Sequence, residues 1–301
     1  MNRREEFKRK LKDILERADK DELQYYSIET LKMGWYKYSY YIVKKYFEKG
    51  YEYNETIDFS KGVIISMMFF NMKKAFKLAK YKDTRRYILE IIGLNDRAYE
   101  YFVETFKDTR ETYPASYMFR YNMFKMFKGE IPEIDENVEI KSEIEIYNLK
   151  LAKGMAEMMK GNYEQSLRIL YENLQGILET GYDHTAMFVL RFLIPLVYNL
   201  QGKGASKPLL QLAFDITSET ANRWFFELFE MYRCFVDDIY PEYVESKINL
   251  YVNRWALIHE LIARGYLHYK GRNQHRRINH IVKEHHHEHD LRVLELFGLE
   301  T

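Results

Sequence analysis

Amphipathic helical segments that end in a glycine turn recur along the rear two-thirds of the chain. The glycines of these turns are Gly129, Gly161, Gly202 and Gly271, and the intervals between them are 32, 41 and 69 residues. Two periods of about 34 residues with a loop insertion account for the last interval. Because one helical hairpin cannot bury its apolar face alone, successive hairpins stack. The sequence therefore predicts an all-α fold, a solenoid of helical hairpins.

The passage around Gly161 is typical of the tetratricopeptide (TPR) hairpin. Gly161 supplies a backbone position with φ > 0, Tyr163 fills the gap between two helices, and Ser166 allows them to approach closely. We therefore expect a TPR-like repeat domain over residues 61–301, preceded by an N-terminal helical segment over residues 1–60. An acidic linker, Gly129 to Glu139, interrupts the repeats.

Composition agrees with a helical protein in a reducing compartment. The 14 Gly and 5 Pro are too few for a many-stranded sheet, and the single Cys234 excludes an internal disulfide. The apolar runs are shorter than the ~20 residues that span a bilayer, and the first residues lack a signal-peptide core. We expect a cytoplasmic protein without a membrane partner.

Charge is distributed unevenly between the two parts of the chain. Residues 1–90 contain 21 Lys+Arg and 14 Asp+Glu, a net charge of +7, so the remaining residues carry −6 of the total of +1. This asymmetry favours different partners for the basic front and the acidic rear. Ordinary variation of surface charge is the alternative explanation.

The basic front contains the outline of a helix-turn-helix. A helical segment that Asp21 caps and that runs through Leu31 to Gly34, a turn at Gly34 and a helix over Tyr36–Lys49 have the required order. Glu29, however, stands where an apolar residue is usual. If this segment binds double-stranded DNA, basic side chains of the hairpin contact phosphates: Lys32, Lys37, Lys44 and Lys45. The alternative is a helical bundle that caps the repeats.

Patterns typical of enzymes are lacking in the sequence. It has no glycine-rich phosphate loop, no nucleophile elbow and no His-Glu-x-x-His helix. A histidine-rich segment from His280 to His289 places His285 and His289 four residues apart, on one face if the helix is continuous, but without a third ligand. We interpret it as a solvated helix end. The sequence predicts no catalytic residue, metal or cofactor.

Stacked hairpins leave a concave groove that can bind an extended peptide. The helices predicted to line it are Lys141–Met159, Asp183–Leu200, Thr220–Val236 and Val252–Tyr269. Polar residues interrupt their apolar faces and are the candidate peptide contacts: Asn148, Arg191, Tyr198, Asn199, Asn222 and Arg223. Because Arg191 stands among six apolar neighbours, it must either pair with an acid or meet a ligand.

Several passages resemble the arbitrium-type peptide receptors of Bacillus phages (the AimR proteins), which belong to the TPR quorum-sensing regulators. These passages, at similar spacing, are Ala75–Asp83, Lys128–Ile131, Ile140–Glu145 and Lys160–Tyr163. The resemblance covers residues 60–215. It implies an N-terminal DNA-binding segment, a signalling peptide bound in the repeats, a homodimer contact in the last repeats and transcriptional control of phage lysogeny.

Two other functions remain open from the sequence. The first is a Rap-like TPR regulator that binds a response-regulator protein through its N-terminal bundle, where Gln24 is the only glutamine in the front 160 residues. The second is a TPR protein-interaction scaffold that takes no small ligand.

Overall fold

The computed structural model describes residues 3–105 and 113–299, and in these ranges the chain forms helices and no strands. The predicted all-α class is confirmed. The helices are α1 Arg3–Arg17, α2 Lys20–Lys32, α3 Tyr36–Glu48, α4 Glu55–Met67, α5 Met72–Leu78, α6 Lys82–Ile92, α7 Asn95–Thr105, α8 Pro114–Phe127, α9 Glu143–Met159, α10 Tyr163–Thr180, α11 Asp183–Phe188, α12 Ile194–Leu200, α13 Lys207–Thr220, α14 Arg223–Asp237, α15 Pro241–Arg254, α16 Leu257–Tyr269, α17 His275–His285 and α18 Glu288–Glu295.

Neighbouring helices form most of the packing, as in a row of hairpins. The turn between α9 and α10 shows how. Gly161 has φ +83° and open space around its Cα, so glycine is needed there for its backbone conformation alone. Ser166 donates a hydrogen bond to the Gly154 carbonyl at 2.8 Å, which draws α10 onto α9. A Cβ at Gly154 would lie 2.8 Å from Cδ2 of Leu170, so a larger residue there requires the Leu170 side chain to shift.

A single hydrophobic cluster extends from Ile14 in α1 to Leu299 near the end of the described chain. A smaller cluster joins α6, α7 and α8 around Phe102. The predicted division after residue 60 falls inside α4, and core residues on both sides of it belong to the large cluster. The N-terminal helices therefore pack on the repeats. No helix of the described residues has the length and apolarity to cross a bilayer.

Two predicted helices are interrupted. Met68, Met72, Phe76 and Ala79 lie at helical spacing and predict one helix over Ile64–Lys80. Phe70, which has φ +50°, divides it into α4 and α5, and Asn71 then caps α5 by accepting a hydrogen bond from the Lys74 N–H at 3.1 Å. The helix expected over Val252–Tyr269 begins within α15 and crosses Trp255, whose left-handed φ of +60° ends that helix. Neither break has a glycine to mark it in the sequence.

Candidate functional site

A cavity of about 410 Å³ lies between the N-terminal helices and the repeats. This volume is typical of sites that bind small ligands, which range from about 300 to 1,000 Å³. Its walls come from both parts of the chain, mainly α2, α4, α6, α8, α9, α11 and α14. Most of the lining is apolar and aromatic, and the following side chains contribute to it: Phe59, Val63, Met67, Phe119, Phe188 and Phe225. We call this space the central cavity.

One polar group of the central cavity is an arginine–glutamate–arginine cluster. Arg86 and Glu90 lie four residues apart on one face of α6, and Arg120 comes from α8. Glu90 is half-buried and uses one carboxylate oxygen for each arginine. In the described residues, Glu90 is the only carboxylate within ion-pair distance of Arg120, and only Nη1 of Arg120 contacts it. The remaining guanidinium donors of Arg120 can bind an acceptor from a ligand.

A second polar group is built on Arg191. Arg191 lies in a π-helical turn, Val189–Leu193, that joins α11 to α12, and its Nη1 pairs with Asp290 of α18 at 3.1 Å. Nδ1 of His287 lies 2.8 Å from the other carboxylate oxygen of Asp290, and Nε2 of His287 lies 2.8 Å from the Gly93 carbonyl oxygen. Burial alone would raise the pKa of Asp290, but the Arg191 guanidinium and the His287 hydrogen bond keep it below its ordinary value. Asp290 is therefore an ionised, buried carboxylate.

The third polar group joins the repeats to α3. The Tyr36 hydroxyl donates to Nδ1 of His184 at 2.6 Å, and Nε2 of His184 lies 3.3 Å from the Tyr87 hydroxyl. Burial lowers the pKa of His184 to about 4, so the imidazole is neutral near pH 7. Burial also raises the pKa of Tyr36 well above its usual value, so its hydroxyl remains a donor. His184 thus forms part of the cavity wall and contacts the first residue of α3.

The turn between α2 and α3 also lies against the start of α11, next to His184. Gly34 has φ +77°, and a Cβ at this position would stand 3.0 Å from the backbone nitrogen of His184 and 3.3 Å from Cβ of Asp183. Burial raises the pKa of Asp183 to about 6. The hairpin that was predicted to bind DNA therefore contacts the start of α11 through its turn as well as through Tyr36.

The structure separates the predicted peptide contacts. Asn148 and Arg191 line the central cavity, where the Asn148 amide donates to Ser116 at 2.9 Å. Tyr198 instead lines a smaller cavity of about 30 Å³ on the other side of Arg191. Asn199 donates to Glu295 at 3.0 Å and lies outside both cavities.

The remaining two predicted peptide contacts have local roles. Asn222 is buried and caps α14 by accepting a hydrogen bond from the Phe225 N–H at 3.0 Å. Arg223 is exposed and lies 3.4 Å from Glu227, one turn further along the same helix. Asn199, Asn222 and Arg223 thus make local contacts, although the buried amide nitrogen of Asn222 has no hydrogen-bond partner among the described residues. A peptide contact at these three residues stays a prediction.

The predicted DNA-binding lysines lie in three settings. Lys37 is exposed on α3. Lys44 and Lys45 both lie within 4 Å of Glu48, at 3.8 and 3.5 Å. Lys32 is half-buried, pairs with Glu29 at 2.7 Å and lines the central cavity, so it is less accessible to a DNA phosphate than Lys37.

The histidine-rich segment does not form one continuous helix. α17 ends at His285, His286 has a left-handed φ of +55°, and α18 begins at Glu288. His285 and His289 are therefore on different helices, and the continuous helix that a shared face requires is not present there. The interpretation of this segment as a solvated helix end is wrong for His287, which is 1% exposed. Within the part of the chain that the structure describes, no group of three or more His, Cys, Asp or Glu side chains could hold a metal ion.

The lining of the central cavity has an excess of positive charge. Four of its side chains are cationic (Lys32, Arg86, Arg120 and Arg191), and two are carboxylates (Glu90 and Asp290). Such walls suit a ligand with an apolar body and an anionic group. Comparison of the chain with protein-family models, with curated proteins and with solved structures finds no match to any of them.

Proposed function

We propose that the protein is a peptide-responsive transcriptional regulator, which binds a short signalling peptide in the central cavity and double-stranded DNA through its basic N-terminal region. The observation that carries this proposal is the contact of Tyr36 with His184. It links the first residue of α3 to a side chain of the cavity wall. A peptide that moves His184 therefore acts on the N-terminal hairpin directly.

The chemistry of the cavity supports a peptide with a free carboxylate. Among the described residues, Arg120 donates a hydrogen bond only through Nη1, to Glu90, so its other guanidinium donors are available next to the apolar and aromatic walls. Arg120 lies 5.8 Å from the Tyr87 ring and 5.9 Å from the Phe119 ring. These rings fix the plane of the guanidinium, which then presents its remaining donors in one direction. The Asn148 amide offers a second polar contact for a peptide group.

Regulation requires that the peptide bind two arrangements of the hairpin with different affinities. The contacts that distinguish such arrangements are the Tyr36–His184 hydrogen bond and the close approach of Gly34 to α11. Both lie at the joint between the hairpin and the cavity wall. The resemblance to arbitrium receptors adds phage lysogeny as the process that this regulator would control.

The test uses a library of short synthetic peptides with free C-terminal carboxylates, scored by the melting temperature of the full chain. A true ligand at 100 times its Kd adds about 2.7 kcal/mol to the free energy of unfolding. Hits are then added to filter-binding titrations with duplex DNA. We expect at least one peptide to stabilise the chain and to change its DNA affinity. A library without a stabilising peptide, or capture of a receiver domain in place of DNA, would contradict the proposal.

A further inference from the structure

The segment between Asp58 and Asp83 contains six lysines and no acidic residue. Its net charge of +6 contrasts with +1 for the whole chain. The segment covers most of α4, all of α5 and the turn that leads into α6. Five of its lysines form a set that we call the lysine face, namely Lys61, Lys73, Lys74, Lys77 and Lys80.

Packing directs three of these lysines towards solvent, whereas Lys61 and Lys73 are half-buried. Met72 and Ala75 bury one side of α5, whereas Lys74 and Lys77 on the opposite side are exposed. Lys80, just beyond the end of the helix, is also exposed. Helical geometry places positions three and four residues apart next to each other, so the solvent side of this short helix is a row of lysines.

The lysine face is not neutralised by neighbouring acids. Among the residues that the structure describes, none of its five ammonium groups has a carboxylate within 4 Å. The predicted DNA contacts Lys32, Lys44 and Lys45 each have one. Asp58 contacts the backbone of this segment, but it is buried and accepts hydrogen bonds at 3.1 Å from the N–H groups of Lys80 and Tyr81.

Aromatic rings hold several of these ammonium groups without cancelling their charge. Lys61 and Lys80 lie 5.5 and 4.6 Å from the centroid of the same Tyr53 ring, and Lys73 lies 6.0 Å from the Trp255 ring. Cation–π contacts restrict a long side chain while leaving its full charge available. Lys61 and Lys80 therefore lie close together despite their distance in sequence.

We infer that the lysine face binds the phosphate backbone of duplex DNA and supplies most of the electrostatic affinity. The inference rests on the proposed DNA-binding function and names a surface outside the α2–α3 hairpin for it. Lysine is a compact charge on a flexible stem, so it matches phosphates without reading bases. Each phosphate that is neutralised releases condensed counterions, which makes the affinity steeply dependent on salt.

The test is a filter-binding titration of duplex DNA at several salt concentrations with the full chain. The variant K73Q/K74Q/K77Q removes three charges from α5. The matched control K150Q/K207Q/K283Q removes three exposed lysines of α9, α13 and α17, which also have no carboxylate within 4 Å among the described residues. A third variant, K37Q/K44Q, removes the exposed lysines of α3.

We expect the slope of log K against log salt to decrease in magnitude by about 2.7 for the α5 variant, which is ~0.9 per lost phosphate contact. The slope for the control should be unchanged. An unchanged slope for the α5 variant, with a reduced slope for the α3 variant, would overturn this inference and leave the proposed function intact. A wild-type chain that prefers an acidic protein to duplex DNA would overturn both. DNA binding with the expected slopes but without any peptide response would contradict only the proposed function. Unchanged circular dichroism melting shows that the variants fold.

Discussion

The hydroxyl of Tyr36 lies 2.6 Å from Nδ1 of His184, a residue 148 positions away in the sequence. Tyr36 begins α3, and His184 belongs to the first turn of α11. The hydrogen bond joins the buried Tyr36 to the half-buried His184, and it connects the N-terminal hairpin to the wall of the central cavity. A ligand in that cavity and a partner on the hairpin thus share a contact.

Removal of the Tyr36 hydroxyl tests this connection. In Tyr36→Phe, Nδ1 of His184 is buried without a donor, and we expect a loss of about 1–3 kcal/mol in the free energy of unfolding. Peptide should still bind, but its effect on DNA affinity should shrink. Urea titrations and DNA filter binding with and without peptide measure both effects. The control is Tyr25→Phe, since Tyr25 is 60% exposed, and equal behaviour of the two variants would refute the connection.

The close approach of Gly34 to α11 has a matched control in Gly50. Both residues have left-handed φ values, +77° and +75°, but a Cβ at Gly50 would meet nothing within 4 Å. Gly50→Ala should therefore cost only the backbone strain, about 1 kcal/mol. Gly34→Ala adds the contact at 3.0 Å with the His184 nitrogen and should cost clearly more. Equal unfolding midpoints in urea would show that the hairpin does not press on α11.

The Arg191–Asp290 pair should be sensitive to the loss of one partner. Asp290→Asn leaves the buried Arg191 guanidinium without its carboxylate, and we expect a cost of about 3–5 kcal/mol. Replacement of both partners, Arg191→Met with Asp290→Leu, should recover much of this stability. The exposed pair of Arg233 and Asp237 is the control, where Asp237→Asn should cost under about 1 kcal/mol. Chemical denaturation compares the four proteins.

A substitution of Arg120 tests whether this residue binds the carboxylate of the peptide ligand. Arg120→Gln removes the free guanidinium donors, while Arg86 still pairs with Glu90. A hydrogen bond to a charged group contributes about 1.5–3 kcal/mol, so the affinity for a free-carboxylate peptide should fall about 10- to 150-fold. The same peptide with an amidated C-terminus should bind both proteins equally. Calorimetric titration measures all four affinities, and an equal loss for the amidated peptide would place the carboxylate elsewhere.

Mild acid should destabilise the fold through its buried histidines. Burial lowers the pKa of His184 to about 4 and that of His259 to about 3, both from 6.5. Below pH 6.5 the unfolded chain takes up protons that the folded chain excludes, so stability falls as pH decreases towards 4. For His184 alone the loss is about 3 kcal/mol.

Asp183 acts in the opposite direction. Burial raises its pKa to about 6 from 3.8, so the folded chain gains a proton there before the unfolded chain does. This uptake offsets part of the acid loss between pH 6 and 4. Urea titrations from pH 7 to 4 measure the sum of these effects, and His184→Gln should flatten the curve. A stability that rises steadily with acid would contradict the assigned neutrality of the histidines.

The sequence predicts the helical class and individual turns because these depend on local chemistry. Gly161 with Tyr163 and Ser166 is one example, and the cap at Asn71 could also have been recognised. The break at Phe70 was missed because no residue type marks a left-handed phenylalanine.

The central cavity could be predicted only in part. Arg191 stands out in the sequence as a charge in an apolar run, which predicts that it pairs with an acid or meets a ligand. The structure shows the pair with an acid, Asp290. Its partner Asp290 is 99 residues away, and no spacing rule connects positions on helices that meet only in the folded chain. The same limit applies to the Arg86–Glu90–Arg120 cluster. The four-residue spacing of Arg86 and Glu90 indicates a pair on one helix face, but nothing in the sequence connects them to Arg120.

The π-helical turn at Val189–Leu193 sets the rotation of α12 relative to α11, and with it the direction of Arg191 in the wall of the central cavity. A π turn accommodates one residue more than the surrounding α-helix, and one residue corresponds to about 100° of rotation. Loss of a single amino acid here would let α11 and α12 merge into one regular rod. Arg191 would then be rotated away from Asp290, with the start of α11 and the end of α12 left in place. One codon thus decides whether Arg191 reaches Asp290 in the wall of the central cavity.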